Sequence, residues 1–278
     1  MRGWMVLGVM LLAAQSPPCE AAGRTRFAIG DQGGILVKAM LNGAGPFTLL
    51  LDTGAAASVI SEEVARLIGA PPVAQATVIS PAGHALRVVV RVDRLQLGPI
   101  TAEALLPTVV PRSALAATGV DGLLGQDVLS GLRYTIDFPG SRIVWHDDEE
   151  LPAGSRVVLA MSFSAGRYLV DLPQPRSMLR LVPDSGAGGL VLFGGTGRDL
   201  PPVTVVGGRV DLWTLEGRRL TAPVLVRELR VGSSTLRDLP AVVLNRPEAG
   251  FSEGDGLLPL KLFGRVTFDG PSRRLILG

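Results

Sequence analysis

The sequence predicts an all-β protein made of two copies of one lobe. Three observations carry that expectation. Glycine and proline are abundant, 35 and 21 of 278 residues, and few stretches show a helical period; both favour short strands joined by tight turns. Three blocks of sequence recur in the same order in the two halves. Each copy is about 120 residues long, a size that suits a small single domain.

The recurring blocks can be read directly. PFTLLLDTGAAASVI in the first half answers to SMLRLVPDSGAGGLVLF in the second. ISPAGHALRVVVRVDRLQLG answers to WTLEGRRLTAPVLVRELRVG, and GVDGLLGQDVLSGLRYTIDFPGSRIVW to EGDGLLPLKLFGRVTFDGPSRRLILG. Asp52 and Asp184 are 132 residues apart, Gly83 and Gly217 are 134, and Gly122 and Gly256 are 134. A repeat of this kind decides the domain count before any single motif does. It divides the chain into a leader at 1–22, a first lobe at 23–146, a linker at 147–155 and a second lobe at 156–278. The linker is polar and turn-rich, with Asp147 to Glu150 followed by Pro152 and Gly154.

In chain order, the leader reads as a signal peptide. Arg2 supplies a positive start, Met5 to Ala14 form an apolar run too short to span a bilayer, and small residues in CEAAG suit cleavage after Ala21 or Ala22. Cys19 is the only cysteine. Lipid attachment there is the less favoured alternative, because Ser16-Pro17-Pro18 is a poor approach to a lipidation site. Cleavage after Ala21 leaves no disulfide, thiol chemistry or cysteine metal site. The expectation is an exported protein, periplasmic or secreted, with no membrane span. Strands are expected at Ile35–Leu41, Phe47–Leu51, Leu86–Leu97 and Arg142–Trp145, each bounded by turn residues. DFPGSR and FDGPSRR are the turns that close each lobe. One helix is expected, capped by Ser61, with Glu62 and Glu63 in its first turn, a face of Val64, Leu67 and Ile68, and Gly69 as its stop.

Composition excludes several function classes. At 47% hydrophobic and 19% charged the chain is an ordinary globular protein. The net charge is +2 and arginines are spread singly, which leaves no nucleic-acid footprint. His84 and His146 are the only histidines, so neither a zinc site nor a serine hydrolase has its usual parts, and no cofactor is expected.

One D-[ST]-G triplet is weak evidence, since about one chain of this length in ten holds one by chance. Here there are two, Asp52-Thr53-Gly54 and Asp184-Ser185-Gly186, at equivalent points of a repeat, each leaving an apolar run. Packed about a pseudo-twofold axis, the loops would meet and set two carboxyls side by side. Such a pair cannot easily ionise twice, so it shares a proton. The ionised member can take a proton from a water between them while the protonated one donates to a carbonyl oxygen, giving a tetrahedral diol from an amide. Thr53 and Ser185 can brace the loops, Gly54 and Gly186 allow close approach, and GLLG (Gly122–Gly125) and GLLP (Gly256–Pro259) can pack beneath them. Asp121 and Asp255, before those blocks, read as structural turn residues.

These residues resemble the pepsin/retropepsin-like aspartic proteases, and more closely the compact retroviral-type lobe fused in tandem, over nearly the whole chain after the leader. Leu49 to Ile60 fits the family's active-site pattern at every position, and Leu123-Leu124-Gly125 is similar to its hydrophobic-hydrophobic-Gly element. The resemblance implies two closed, β-barrel-like acid-protease lobes about a pseudo-twofold axis with a cleft between them. It implies that Asp52 and Asp184 form the catalytic pair and that a peptide or protein substrate binds extended in the cleft, with one chain sufficing as a monomer. It also implies a β-hairpin flap between the two motifs of each lobe. PAGHA and LEGRR fall there, making Gly83, His84, Trp213 and Gly217 candidate substrate contacts.

The second lobe departs from the pattern. Pro183 precedes Asp184, Gly188 and Gly189 replace the residues matched by Ala56 and Ala57, and Pro259 replaces Gly125. The alternative reading is therefore a non-catalytic peptide- or protein-binding module of the same fold. Ala55 and Ala187 stand where many pepsin-like enzymes carry a hydroxyl residue that can stabilise the anion. The resemblance therefore implies raised pKa values and activity extending toward neutral pH.

Overall fold

The computed structural model describes residues 23–80, 83–147, 157–195, 199–214, 217–245 and 253–278. The expected leader with Cys19, all but Asp147 of the linker, and the hairpin-tip residues Pro81, Ala82, Leu215 and Glu216 lie outside the described residues.

The first half begins with β1 (Gly23–Arg26) and β2 (Ala28–Ile29), then the antiparallel pair β3 (Ile35–Leu41) and β4 (Ala44–Leu51). Ile35, Val37, Ala39 and Leu41 are buried in alternation along β3, as one face of a half-covered sheet requires. β5 (Val59–Ser61) leads into α1 (Glu62–Leu67). Ser61 caps α1, its Oγ accepting the Val64 N–H at 3.2 Å, and Gly69 leaves the helix at φ +61°. One expectation fails here. Leu67 is 65% exposed, because the buried arc of this short helix is centred on Val64 and Ala65, with Ile68 packed beside them.

A hairpin of β6 (Pro72–Ser80) and β7 (Gly83–Val90) follows, then β8 (Val92–Leu97) paired with β9 (Ile100–Leu105). The apolar run expected as one strand from Leu86 to Leu97 is thus two. Arg91 separates them, its N–H turned to the Pro71 carbonyl at 3.0 Å. The half closes with β10 (Thr108–Val110), β11 (Gly122–Leu124), α2 (Gln126–Leu129), β12 (Arg133–Asp137) and β13 (Arg142–Trp145).

The second half repeats the order of the paired strands without α1 or α2 among its described residues: β14 (Val157–Ser164), β15 (Arg167–Pro173), β16 (Met178–Asp184), β17 (Leu190–Gly194) and β18 (Val203–Val205). Then come β19 (Val210–Thr214), β20 (Gly217–Thr221), β21 (Pro223–Val231), β22 (Ser234–Asn245), β23 (Gly256–Pro259), β24 (Arg265–Asp269) and β25 (Arg274–Leu277). The structure is almost all β, in curled half-barrel sheets. One core cluster runs through both halves, from Ile35 and Leu51 to Leu181 and Leu277.

In each half the aspartate-bearing strand sits between its hairpin partner and a parallel strand from the Gly-Leu-Leu block: β4 between β3 and β11, β16 between β15 and β23. Parallel neighbours need a long crossover, so segments about 70 residues apart in sequence meet here. Glycine is required where these strands cross. A Cβ on Gly122 would stand 2.3 Å from the Val59 carbonyl oxygen, and one on Gly256 2.0 Å from that of Val191. Asp121 and Asp255 pin the same strands, accepting the Thr48 and Arg180 N–H groups, each at 2.8 Å.

The halves join at β12 and β24, whose register sets Arg133 against Asp269, Thr135 against Thr267 and Asp137 against Arg265. Moving 132 residues along the chain turns Thr135 into Thr267 and exchanges the flanking pairs. A local twofold axis therefore passes between the two threonine hydroxyls, which are 2.7 Å apart.

Asp137 and Asp269 flank that axis, 2% and 0% exposed, each held by arginines: Arg142 and Arg265 on one, Arg133 and Arg274 on the other. Burial by itself would raise both pKa values. Hydrogen bonds from Arg265, Gly140 and Arg142 outweigh it at Asp137, and from Arg274, Ser272 and Arg133 at Asp269, so both are lowered. A carboxylate with a lowered folded pKa stabilises the fold above its unfolded pKa, and that contribution is lost as pH falls through the folded value. The expected result is a melting temperature that drops steeply below about pH 4, with a shallower drop in Asp137→Asn and Asp269→Asn. Thermal melts from pH 2 to 7 check this.

Candidate active site

The two D-[ST]-G turns emerge side by side at the ends of β4 and β16. Asp52 follows β4, and its N–H donates to the Leu124 carbonyl at 2.9 Å; Asp184 is the last residue of β16. The turns grip each other through four reciprocal hydrogen bonds. The Thr53 N–H donates to Ser185 Oγ at 3.1 Å, and the Ser185 N–H to Thr53 Oγ1 at 3.0 Å. Thr53 Oγ1 donates to the Pro183 carbonyl at 2.8 Å, and Ser185 Oγ to the Leu51 carbonyl at 2.6 Å. Each hydroxyl thus donates once and accepts once, and both side chains are buried. This arrangement uses only the carbonyl of Pro183, which proline retains.

The carboxyl groups of Asp52 and Asp184 lie close enough to influence each other's ionisation. Asp52 Oδ1 accepts the Gly54 N–H at 3.0 Å, while Asp184 Oδ1 accepts those of Gly186 at 2.7 Å and Ala187 at 2.9 Å. Each loop's glycine lies against the opposite aspartate. A Cβ on Gly54 would stand 2.6 Å from Asp184 Cγ, and one on Gly186 3.1 Å from Asp52 Cγ. Desolvation raises the Asp52 pKa against the pull of the Gly54 and Ala55 N–H groups and of Asp184. Asp184 is raised well above the usual carboxylate range, first by burial and then by the charge of Asp52. Two raised and mutually coupled carboxyls favour a state in which the pair holds a single proton between them.

One departure of the second lobe, Gly188, has a packing reason, whereas Gly189 faces open space. A Cβ on Gly188 would come within 2.8 Å of the Gln32 carbonyl oxygen, at the turn before β3, so alanine does not fit there. On the opposite side a Cβ on Gly166 would stand 2.9 Å from Ala56 Cβ. The lobes thus touch through two turn-on-loop contacts, one of which requires a bare backbone in the second loop. The first loop carries a polar brace not foreseen from the motif. Ser58 donates to Asp127 from both its N–H and its hydroxyl, at 3.0 and 2.7 Å, and Gln126 Nε2 donates to the Thr53 carbonyl at 2.7 Å. At the equivalent points the second lobe has Leu190, Leu260 and Lys261, and both leucines are buried, so apolar packing replaces the brace. The sequence signal for it was Gln126-Asp127 directly after GLLG.

Of the predicted substrate contacts, Gly83 and His84 lie near the tip of the β6–β7 hairpin, opposite Ser80 and Ile79, with His84 exposed. Trp213 and Gly217 lie on the β19–β20 hairpin, opposite Arg218 and Thr214. These positions are on the hairpins and not among the groups that bond the two carboxyls. A residue that sequence reasoning missed is Arg167, which is 8% exposed and directs its charge at both aspartates. A single arginine in the second copy had no counterpart in the first to flag it.

Residues 37–128 match the family model described as aspartyl protease. Among solved structures the chain is similar to a retropepsin-like aspartic protease from Rickettsia conorii, with 17% identity over 45% of this chain and 90% of that one, at a TM-score of 0.35. No curated protein matches the chain. The matched segment, about a third of the chain, holds the first active-site loop and the Gly-Leu-Leu strand beneath it, and over that segment the chain is similar to aspartyl proteases.

Proposed function

We propose that the protein is an aspartic endopeptidase in which Asp52 and Asp184 together activate a water molecule. The observation that supports this reading best is the juxtaposition of two buried carboxyls on interlocked turns, each glycine lying against the opposite aspartate. Asp52, as the anion, takes a proton from the water as it attacks the scissile carbonyl. Asp184, protonated, donates to the carbonyl oxygen, and the resulting diol collapses as a proton passes to the leaving amine. The main-chain N–H groups at Gly54, Gly186 and Ala187 keep the carboxyls oriented, so little reorganisation is needed during the reaction. An extended peptide would lie between the lobes beneath the β6–β7 and β19–β20 hairpins, bound through its backbone with side chains in flanking pockets. One chain supplies both aspartates, so a monomer suffices. We place the protein outside the cytoplasm on the strength of its leader. Among the described residues no helix is long and apolar enough to cross a membrane.

Digestion of a library of extended peptides, with products mapped by mass spectrometry, tests this reading. Discrete internal cleavages are expected. Tight binding of library peptides without any cleavage would favour the alternative, a binding module of the same fold.

The active form carries one proton on the pair. It appears as pH rises through the lower macroscopic pKa and disappears through the upper one. Both carboxyls are raised, so that window moves up, and the pH–rate profile is expected to extend toward neutrality. A profile that peaks below about pH 3, under the ordinary aspartate range, would contradict it.

A further inference from the structure

Beside the aspartates the two lobes match in strand and turn but not in charge. β3 and β15 match in burial when shifted by 133 residues: Ile35, Val37 and Ala39 correspond to buried Tyr168, Val170 and Leu172, and exposed Lys38 to exposed Asp171. The preceding turns match as well, with Gly33 at φ +82° and Gly166 at φ +76°. This alignment sets Gly34 against Arg167, each the residue before the first core position of its strand. In the first lobe the position is bare, and a Cβ on Gly34 would stand 2.5 Å from Leu50 Cδ1, so Leu50 would have to move to admit one. In the second lobe the position holds a buried arginine.

Arg167 shares a small cavity with Glu253, Leu169, Val182 and Phe193, one residue behind the turn that touches Ala56 of the first loop. The pairing of β15 with β16 runs Val170 to Leu181 and Asp171 to Arg180, and continued toward the turn it sets Arg167 opposite Asp184. Glu253 also lacks a charged counterpart, since the residue 134 positions earlier is Gly119. A buried guanidinium is costly unless opposite charges face it. Burial works against the charge of Arg167, while Glu253, Asp184 and Asp52 favour it, in that order. Other charged groups near these loops are Asp127, bonded to Ser58 behind the first loop, Asp31 in the turn before β3, and Lys261, whose ammonium lies near Gly33 at the rim.

We propose that Arg167 is a positioning residue that holds the single negative charge of the Asp52–Asp184 pair, with Glu253 as the counter-charge that keeps it in the second lobe. The proposal rests on the acid–base reading of the pair. It gives that pair an asymmetry the twofold repeat lacks: the field of one cation, from one side, opposes the burial that would otherwise keep both carboxyls protonated.

The test is a carboxyl-carbon NMR titration of aspartate-labelled protein, with signals assigned through Asp52→Asn and Asp184→Asn. Wild type is compared with Arg167→Met, Arg167→Gln and Arg167→Lys, each first shown to be folded by thermal melting. Both midpoints of the pair are expected to rise by about one pH unit in the Met and Gln variants and to stay close to wild type in the Lys variant. If the Met variant does not fold, the Gln and Lys variants decide. Midpoints unmoved in the neutral variants, or moved as far by Lys as by Gln, overturn the proposal. This readout needs no substrate, so the two readings fail separately. Peptide cleavage with unmoved midpoints sinks the role of Arg167 alone, and shifted midpoints in a protein that cleaves nothing sink the protease reading alone.

Discussion

Asp184→Asn is expected to abolish peptide hydrolysis, by about 10³-fold or more, while making the protein more stable at neutral pH. The first effect follows from removing the proton that the carbonyl oxygen must receive, because an amide is a far weaker acid than a carboxyl. The second follows from the raised pKa. In the unfolded chain Asp184 ionises near its ordinary value, but in the folded protein burial and Asp52 oppose its charge. Ionisation therefore favours unfolding over the range between those two values and above it. Asparagine carries no charge and still offers an oxygen to the Gly186 and Ala187 N–H groups that hold Asp184 Oδ1. The melting temperature of the variant should exceed that of wild type at pH 7, by about 2–4 °C per kcal/mol gained, with the advantage gone below about pH 4. Steady-state kinetics and melts on one preparation check both parts. Activity retained within tenfold of wild type would remove Asp184 from the chemistry, and a lower melting temperature at pH 7 would show that its charge is not opposed by the fold.

The second large effect is expected at a glycine. Gly54→Ala places a methyl 2.6 Å from Asp184 Cγ if nothing moves. Real Cβ contacts do not come that close, so Asp184 or the turn must give way. The turns have little freedom, being tied through Thr53 and Ser185 by four hydrogen bonds, so the displacement falls on the carboxyl. A shift approaching 1 Å at a reacting group costs about 10²-fold in rate. Gly186→Ala is expected to be milder, because its Cβ would lie 3.1 Å from Asp52 Cγ, a distance that a few tenths of an ångström relieves. The ordering is the informative part. A fall in kcat for Gly54→Ala clearly larger than for Gly186→Ala, with KM little changed, is the expected result. Equal activity of the two variants would show that the loops are less constrained than their hydrogen bonds imply.

Much of this site was legible without coordinates. The repeat offset that sets Asp52 against Asp184 also sets Thr53 against Ser185 and Thr135 against Thr267, and the last two pairs hydrogen-bond across the halves. A sequence that repeats at a fixed spacing states its own symmetry. The strands of period two, the Ser61 cap and the glycine stop of α1 were readable for the same reason, since each depends on near neighbours. Less legible was what depends on distant packing. Leu67 fitted the helix spacing but falls off the buried arc, and Leu86 to Leu97 carried no mark of the break at Arg91. Gly188 and Pro183 read as erosion of the second motif. In place, one makes room for the Gln32 carbonyl and the other contributes to the grip only its carbonyl, which proline keeps.

The sequence by itself determined that the chain is all-β, that its lobe occurs twice, and that each copy offers one acidic turn after an apolar strand. Local patterns and an internal repeat carry that information along one dimension. Only the tertiary structure decided that the two acidic turns interlock, that the glycine of each turn presses on the aspartate of the other, and that the charge of buried Arg167 faces both aspartates. Those relations join residues some 15 to 130 positions apart, and distance in space, not spacing in sequence, sets the strength of a charge or the cost of a methyl group.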